Sequence, residues 1–136
     1  FFTILSENFP LFADYKIPVP SLKVRKMNSR WGSCNVVKKI INLNSRLYFK
    51  EDYLIKYVVL HELSHLVYAD HSKNFYAVLK SVMPNYKQAE KLLNKWKNLI
   101  TKPYKHLKTK KSRRGLFYIL YIFSITLHVT EGILYI

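Results

Sequence analysis

Residues 52–66 restrict the fold more than any other stretch of this chain. Tyr53, Leu54, Val58, Leu60, Leu63 and Leu66 recur through it so that the segment is apolar nearly all round. A helix of that kind is stable only inside a protein. Set into it are His61, Glu62 and His65, the pattern H-E-x-x-H. The rest of the chain therefore has to wrap around this helix and supply partners for three polar side chains held in apolar surroundings.

The spacing of the three carries a specific chemistry. Positions i and i+4 of a helix lie one above the other on the same face, so His61 and His65 can both reach one divalent ion. Glu62 stands beside them, able to take a proton from an activated water without ligating the metal. A catalytic zinc usually takes three protein ligands and keeps one position for water. His71, just past the turn suggested by Asp70, is the leading candidate for the third. His106 and His128 are poorer candidates, one in a basic stretch and the other in an apolar tail. The expectation is one Zn2+ per chain on His61, His65 and His71, with Glu62 as general base. Imidazoles also suit iron, nickel and copper, so zinc is a preference from ligand type.

Around this helix the periodicity predicts a small sheet and further helices. Leu11–Tyr15 reads as the last turn of a helix, and Ser21–Met27 alternates apolar and basic residues as an edge strand does. Val36–Asn44 contains a second β-favouring run, with Arg30–Ser33 between the two strands. Asp70 or Ser72 can cap a helix with the stripe Phe75, Val78, Leu79 and Val82, which Pro84 ends. A third helix follows, with Tyr86, Ala89, Leu93, Trp96 and Ile100 at helical spacing. The fold class is α+β: a small β-sheet packed on the H-E-x-x-H helix and two following helices.

Charge divides the chain. Of 23 Lys+Arg against 8 Asp+Glu, ten basic residues and no acid fall in residues 91–114. Residues 1–101 read as the domain, 102–115 as a basic linker and 116–136 as an apolar tail. The run 102–114 invites a nucleic-acid reading, although lysine-rich linkers are often only solvated. The tail is long enough to cross a bilayer and has basic residues on its N-terminal side; a buried strand pair and a stretch not selected as part of the protein are the alternatives. Cys34 is the only cysteine, which excludes an intrachain disulfide and a cysteine-rich zinc module. It reads as a small buried residue. A cytoplasmic setting, with membrane anchoring through the tail as a further option, fits best. The chain opens on Phe1-Phe2, which reads as a fragment or processed form, and shows no signal peptide.

Several motifs in one order resemble a known family. Arg25-x-Met27-x-Ser29-Arg30-Trp31-Gly32-Ser33-Cys34, Ile41-Asn42-Leu43-Asn44, Tyr57–His65, Asp70-His71-Ser72-x-x-Phe75 and Pro84-Asn85-Tyr86-Lys87 are similar to the YgjP-like metal-dependent hydrolases. That family is related to the SprT-like and WLM zincin metallopeptidases. The resemblance implies a minimal zincin-like domain, a zinc site from His61, His65 and His71, and Glu62 as base. It covers about residues 8–100. Two departures stand out: Asn35–Lys39 replaces a glycine-containing hairpin turn, and the N-terminal strands of the full family are missing.

The expected activity is a zinc-dependent hydrolase of metallopeptidase type acting on a peptide. Alternatives keep the site but attack a phosphoanhydride or nucleotide, or make the metal structural in a nucleic-acid- or membrane-binding module. Arg30 is a candidate for holding a substrate carboxylate or phosphate. The competing reading, favoured on residue type, has Trp31 in the core and Arg30 bonding local carbonyls.

Overall fold

The computed structural model describes residues 1–101. The basic run 102–114 and the apolar tail 116–136 lie outside them. Among the described residues no helix is long and apolar enough to cross a membrane.

The chain opens with helix α1 (Phe2–Asn8), which passes directly into a 3-10 segment, Phe9–Tyr15, with Pro10 in its first turn. Sequence periodicity had only the last turn of this region. Proline at the start of a helical turn loses no internal hydrogen bond, which is why it does not interrupt here. Strands β1 (Ser21–Arg25), β2 (Gly32–Asn35) and β3 (Ile40–Asn44) follow. The sheet order is β1-β3-β2, with β3 in the centre, parallel to β1 and antiparallel to β2. Strand β2 is a correction: residues read as a connector between two strands form the second edge of the sheet. The short apolar-poor stretch Gly-Ser-Cys-Asn carries no alternation to reveal it.

The β2–β3 hairpin closes without glycine. Asn35 Oδ1 accepts from the backbone N–H groups of Val37 (3.2 Å) and Lys38 (2.8 Å), and Lys39 takes the left-handed conformation at φ 53°. An asparagine side chain that mimics a backbone turn makes the glycine dispensable. Non-glycine left-handed backbone costs on the order of 1 kcal/mol, offset here by those two bonds.

Helix α2 (Asp52–Val67) is the buried helix that its composition demanded, with Val59, Leu60 and Leu63 fully buried. Its inner face lies against Ile41 and Leu43 of the sheet's centre and the α1 region. Ser64, fully buried in the middle of this helix, satisfies its hydroxyl by donating to the Leu60 carbonyl at 2.8 Å. Helix α3 (Lys73–Val82) is capped by Ser72, whose Oγ accepts from Phe75 N–H. Helix α4 (Tyr86–Thr101) buries Tyr86, Ala89 and Leu93. Besides that burial, Trp31 Nε1 donates to the Leu93 carbonyl at 3.3 Å, and Lys50 Nζ sits 3.5 Å from the centre of the Trp96 ring.

Candidate metal centre

The two histidines of α2 are partly buried and lie on one face, their ring centroids 5.0 Å apart. The chain then leaves α2 at Tyr68. Asp70 Oδ1 accepts from Ser72 N–H at 3.3 Å, closing a tight turn immediately before α3. That turn returns His71 to the same place: His71 Nε2 lies 3.1 Å from His61 Nε2. One nitrogen from each of His61, His65 and His71 lies within 4.8 Å of the others. The structure thus brings together all three histidines singled out from the sequence. His106 and His128 are outside the described residues.

Beneath the rings lies Phe75, fully buried on α3. Its ring centroid is 5.0, 4.6 and 4.9 Å from those of His61, His65 and His71 respectively. One aromatic side chain therefore forms the floor under all three imidazoles.

The arrangement suits a cation. Bonds of about 2.0–2.1 Å at a tetrahedral angle put two zinc-bound nitrogens roughly 3.3–3.4 Å apart, close to the separation of His61 and His71 Nε2. The Nδ1–H of His65 donates to the Tyr68 carbonyl at 3.3 Å, leaving Nε2 with its lone pair toward the site. Burial, with the neighbouring His65 and His71, brings the His61 imidazole down to about 3. Burial followed by His71 lowers His65 as well, against the opposing pull of the Tyr68 and Ala69 backbone and Asp70. Neutral imidazoles with converging lone pairs are a metal-ligand set. His61 Nδ1 is buried without a hydrogen-bond partner, a cost that coordination through Nε2 would help offset.

Glu62 is 5% exposed and opens into the same cavity. Burial pushes its carboxyl up to about 8, and the Arg30 guanidinium pulls in the opposite direction. Gly32 of β2 packs against that carboxylate so closely that a Cβ there would meet it.

The cavity has a volume of about 560 Å³ and opens between β2, α2 and α4. Arg30 is exposed on its rim, its backbone carbonyl accepting from the buried Asn44 side chain at 2.7 Å. Its main chain is thus tied down, and its charge acts on Glu62. Trp31 is partly buried at the cleft wall. Cys34, expected as a small buried residue, is partly buried against the core and also lines the cavity. Burial, then the Glu62 charge, raises its thiol to about 11, with Lys39 opposing, so it remains protonated at neutral pH.

Four cavity residues escaped sequence reasoning. Tyr57, one turn before His61 on the same face, could have been found from its spacing. Gly32 was quoted as part of a motif but with no role. Glu90 and Asn94 of α4 line the cavity from a helix remote in sequence, and no local signal marks them.

Comparison with known proteins gives a family and a fold. The sequence model of a family described as YgjP-like, metallopeptidase domain, matches residues 9–96. No curated protein matches the chain. Among solved structures, the metallopeptidase zymogen abylysin of Pyrococcus abyssi is similar at 20% identity and a TM-score of 0.60, covering 68% of this chain and 91% of that one. The metallopeptidase zymogen jannalysin of Methanocaldococcus jannaschii is similar at 21% identity and a TM-score of 0.56, covering 71% and 97%. At such identities the likeness is one of fold, and it bears out the expected zincin-like α+β domain.

Proposed function

Since the chain belongs to the YgjP-like metallopeptidase-domain family, we propose that it is a zinc-dependent peptidase in which Glu62 is the general base. The observation that supports this most directly is the convergence of three imidazole nitrogens within 4.8 Å beside a buried glutamate. His61, His65 and His71 would hold the metal. When bound, zinc supplies Lewis acidity, which makes water nucleophilic at neutral pH and polarises the scissile carbonyl.

The protein's own groups do the rest. Glu62 takes the proton from the attacking water and returns it to the leaving amine nitrogen. Its nearly dry position against Gly32 keeps the carboxylate from being solvated away from that task. Arg30, on the rim and close enough for its charge to act on Glu62, would donate to a substrate carbonyl or carboxylate as a planar fork. The phosphoanhydride alternative uses the same groups, and the family match favours the peptide.

The test uses the full chain, loaded with zinc and assayed on a mixed fluorogenic peptide library and on nucleoside triphosphates. The expected result is peptide cleavage with no nucleotide turnover, lost in Glu62→Gln while about one zinc per chain remains by elemental analysis. His61→Ala should lose both metal and activity. Undiminished turnover in Glu62→Gln would remove the proposed base, and nucleotide turnover alone would replace the substrate class.

A further inference from the structure

Helix α4 walls one side of the cleft, and its residues are not all core. Tyr86, Ala89 and Leu93 are buried, whereas Glu90 and Asn94, at i and i+4, turn toward the cavity. Two carboxylates therefore line this cleft, Glu62 and Glu90. The first is assigned to the chemistry above. The second has no role there.

Glu90 has a definite place relative to the metal ligands. Tyr57 lies one turn before His61 on α2, its ring centroid 5.8 Å from that imidazole. Tyr57 is raised first by burial and next by the charge of Glu90, and Tyr76 likewise. The cleft thus runs from His61 past Tyr57 to Glu90. All three line one cavity of about 560 Å³, so a peptide bound there with its scissile bond at His61 would bring a nearby side chain to Glu90.

The surroundings of Glu90 are wrong for an isolated acid. It is partly buried, close to Tyr57, Tyr76 and Tyr86, with Tyr76 and Tyr86 stacked at 6.0 Å. Among the described residues no Lys, Arg or His pairs with it, although the chain carries 23 Lys+Arg. An unpaired carboxylate lining the cleft is free to pair with a ligand's cation. The tyrosine faces suit the rest of such a ligand, because a lysine or arginine stem packs on aromatic surface and its head is attracted by the ring.

We infer that Glu90 makes the cleft selective for peptides with a lysine or arginine side chain within one or two residues of the scissile bond. The inference rests on the peptidase reading and adds the substrate class.

The test measures binding separately from turnover. The full chain carrying Glu62→Gln, loaded with zinc, is titrated by fluorescence anisotropy with fluorescein-labelled alanine pentapeptides whose central residue is Lys, Gln or Glu, at 0.15 M salt. The Lys peptide should bind about tenfold tighter than the Gln peptide, a ratio equal to 1.4 kcal/mol. General attraction to a chain of formal charge +15 runs the other way, so such a preference reports a local site. Adding Glu90→Gln should bring the Lys/Gln ratio to within about twofold, and Glu90→Lys should favour the Glu peptide. A merely structural role would weaken all three peptides alike and leave the ratio. A ratio near one before Glu90 is changed, a ratio that survives Glu90→Gln, or no measurable binding overturns the assignment. If the Lys peptide binds selectively but the protein with Glu62 intact cuts nothing, the peptidase reading fails while Glu90 stands. Cleavage without basic preference has the opposite meaning.

Discussion

Gly32 and Glu62 are in mutual contact at the centre of the cleft: a Cβ built on Gly32 would lie 2.5 Å from Glu62 Oε1 and 2.8 Å from Val58 Cγ1. The β2 edge can approach the H-E-x-x-H helix closely only because no side chain intervenes, and this approach is what holds the Glu62 carboxylate in its place. Gly32→Ala should therefore cost about 1–3 kcal/mol from overpacking. It should cut peptidase turnover by about a hundredfold by displacing Glu62, with zinc content unchanged. Urea unfolding, elemental analysis and kinetics measure the three. An active, fully stable Gly32→Ala protein would show that the contact does not position the base.

The metal-free protein should lose stability between pH 6.5 and 8, and Glu62→Gln should remove that loss. Glu62 is raised to about 8 from an ordinary value of 4.5, chiefly by burial. Its stabilising contribution is complete below 4.5 and disappears as pH rises through 8, because the folded state holds a proton that the unfolded state has released. His61, lowered to about 3 from 6.5 by burial and its neighbouring histidines, acts with opposite sign. Its contribution is present above 6.5 and disappears as pH falls through 3. Above 6.5 the glutamate therefore governs the slope, at up to about 2 kcal/mol over the interval. Denaturation in EDTA at the two pH values tests this. Parallel profiles for wild type and variant would contradict it.

Phe75 packs against all three candidate ligands, His61, His65 and His71, and the packing predicts an effect on metal affinity that exceeds its effect on the fold. Phe75→Leu keeps the site apolar while shortening the floor under His61, His65 and His71. The expected cost in stability is about 1–2 kcal/mol, and zinc should bind about tenfold more weakly, read by competition with a chromophoric chelator. Unchanged affinity would mean that the backbone alone orients the imidazoles.

Asn44 anchors the loop that carries Arg30. It is buried, its Nδ2 donating to the Met27 and Arg30 carbonyls at 2.8 and 2.7 Å and its Oδ1 accepting from Arg46 N–H at 3.1 Å. Asn44→Ala removes three hydrogen bonds from part-buried groups, at about 0.5–1.5 kcal/mol for such a bond. Thermal unfolding should register this, and KM should rise more than kcat falls, since Arg30 is on the rim and Glu62 is on the helix. A loss confined to kcat would place the loop's influence on the chemistry and not on substrate.

Much of the molecule follows from local pattern. The helix over Asp52–Val67 was legible because a segment apolar on every side has one stable environment. Its histidine spacing placed two ligands on one face by helix geometry alone. His71 could be proposed as the third because Asp70 signalled a turn, and Ser72 marked the start of α3. By contrast β2 had no alternation to announce it, since it pairs with β3 along its length while Gly32, Ser33 and Cys34 line the cleft.

What the sequence by itself determined was the chemistry available: an α+β domain, a buried helix bearing two imidazoles and a carboxylate, and a third imidazole just beyond it. What only the tertiary structure decided was how those groups are held and what faces them. The closeness of Gly32 to Glu62, the single ring of Phe75 under three histidines, and Glu90 lining the same cleft as Glu62 join residues from different elements, as far as about 30 positions apart in the numbering. Periodicity reports which side of its own element a residue occupies. Which element comes to lie opposite is settled by the packing of apolar faces over the whole domain, and no window of sequence contains that.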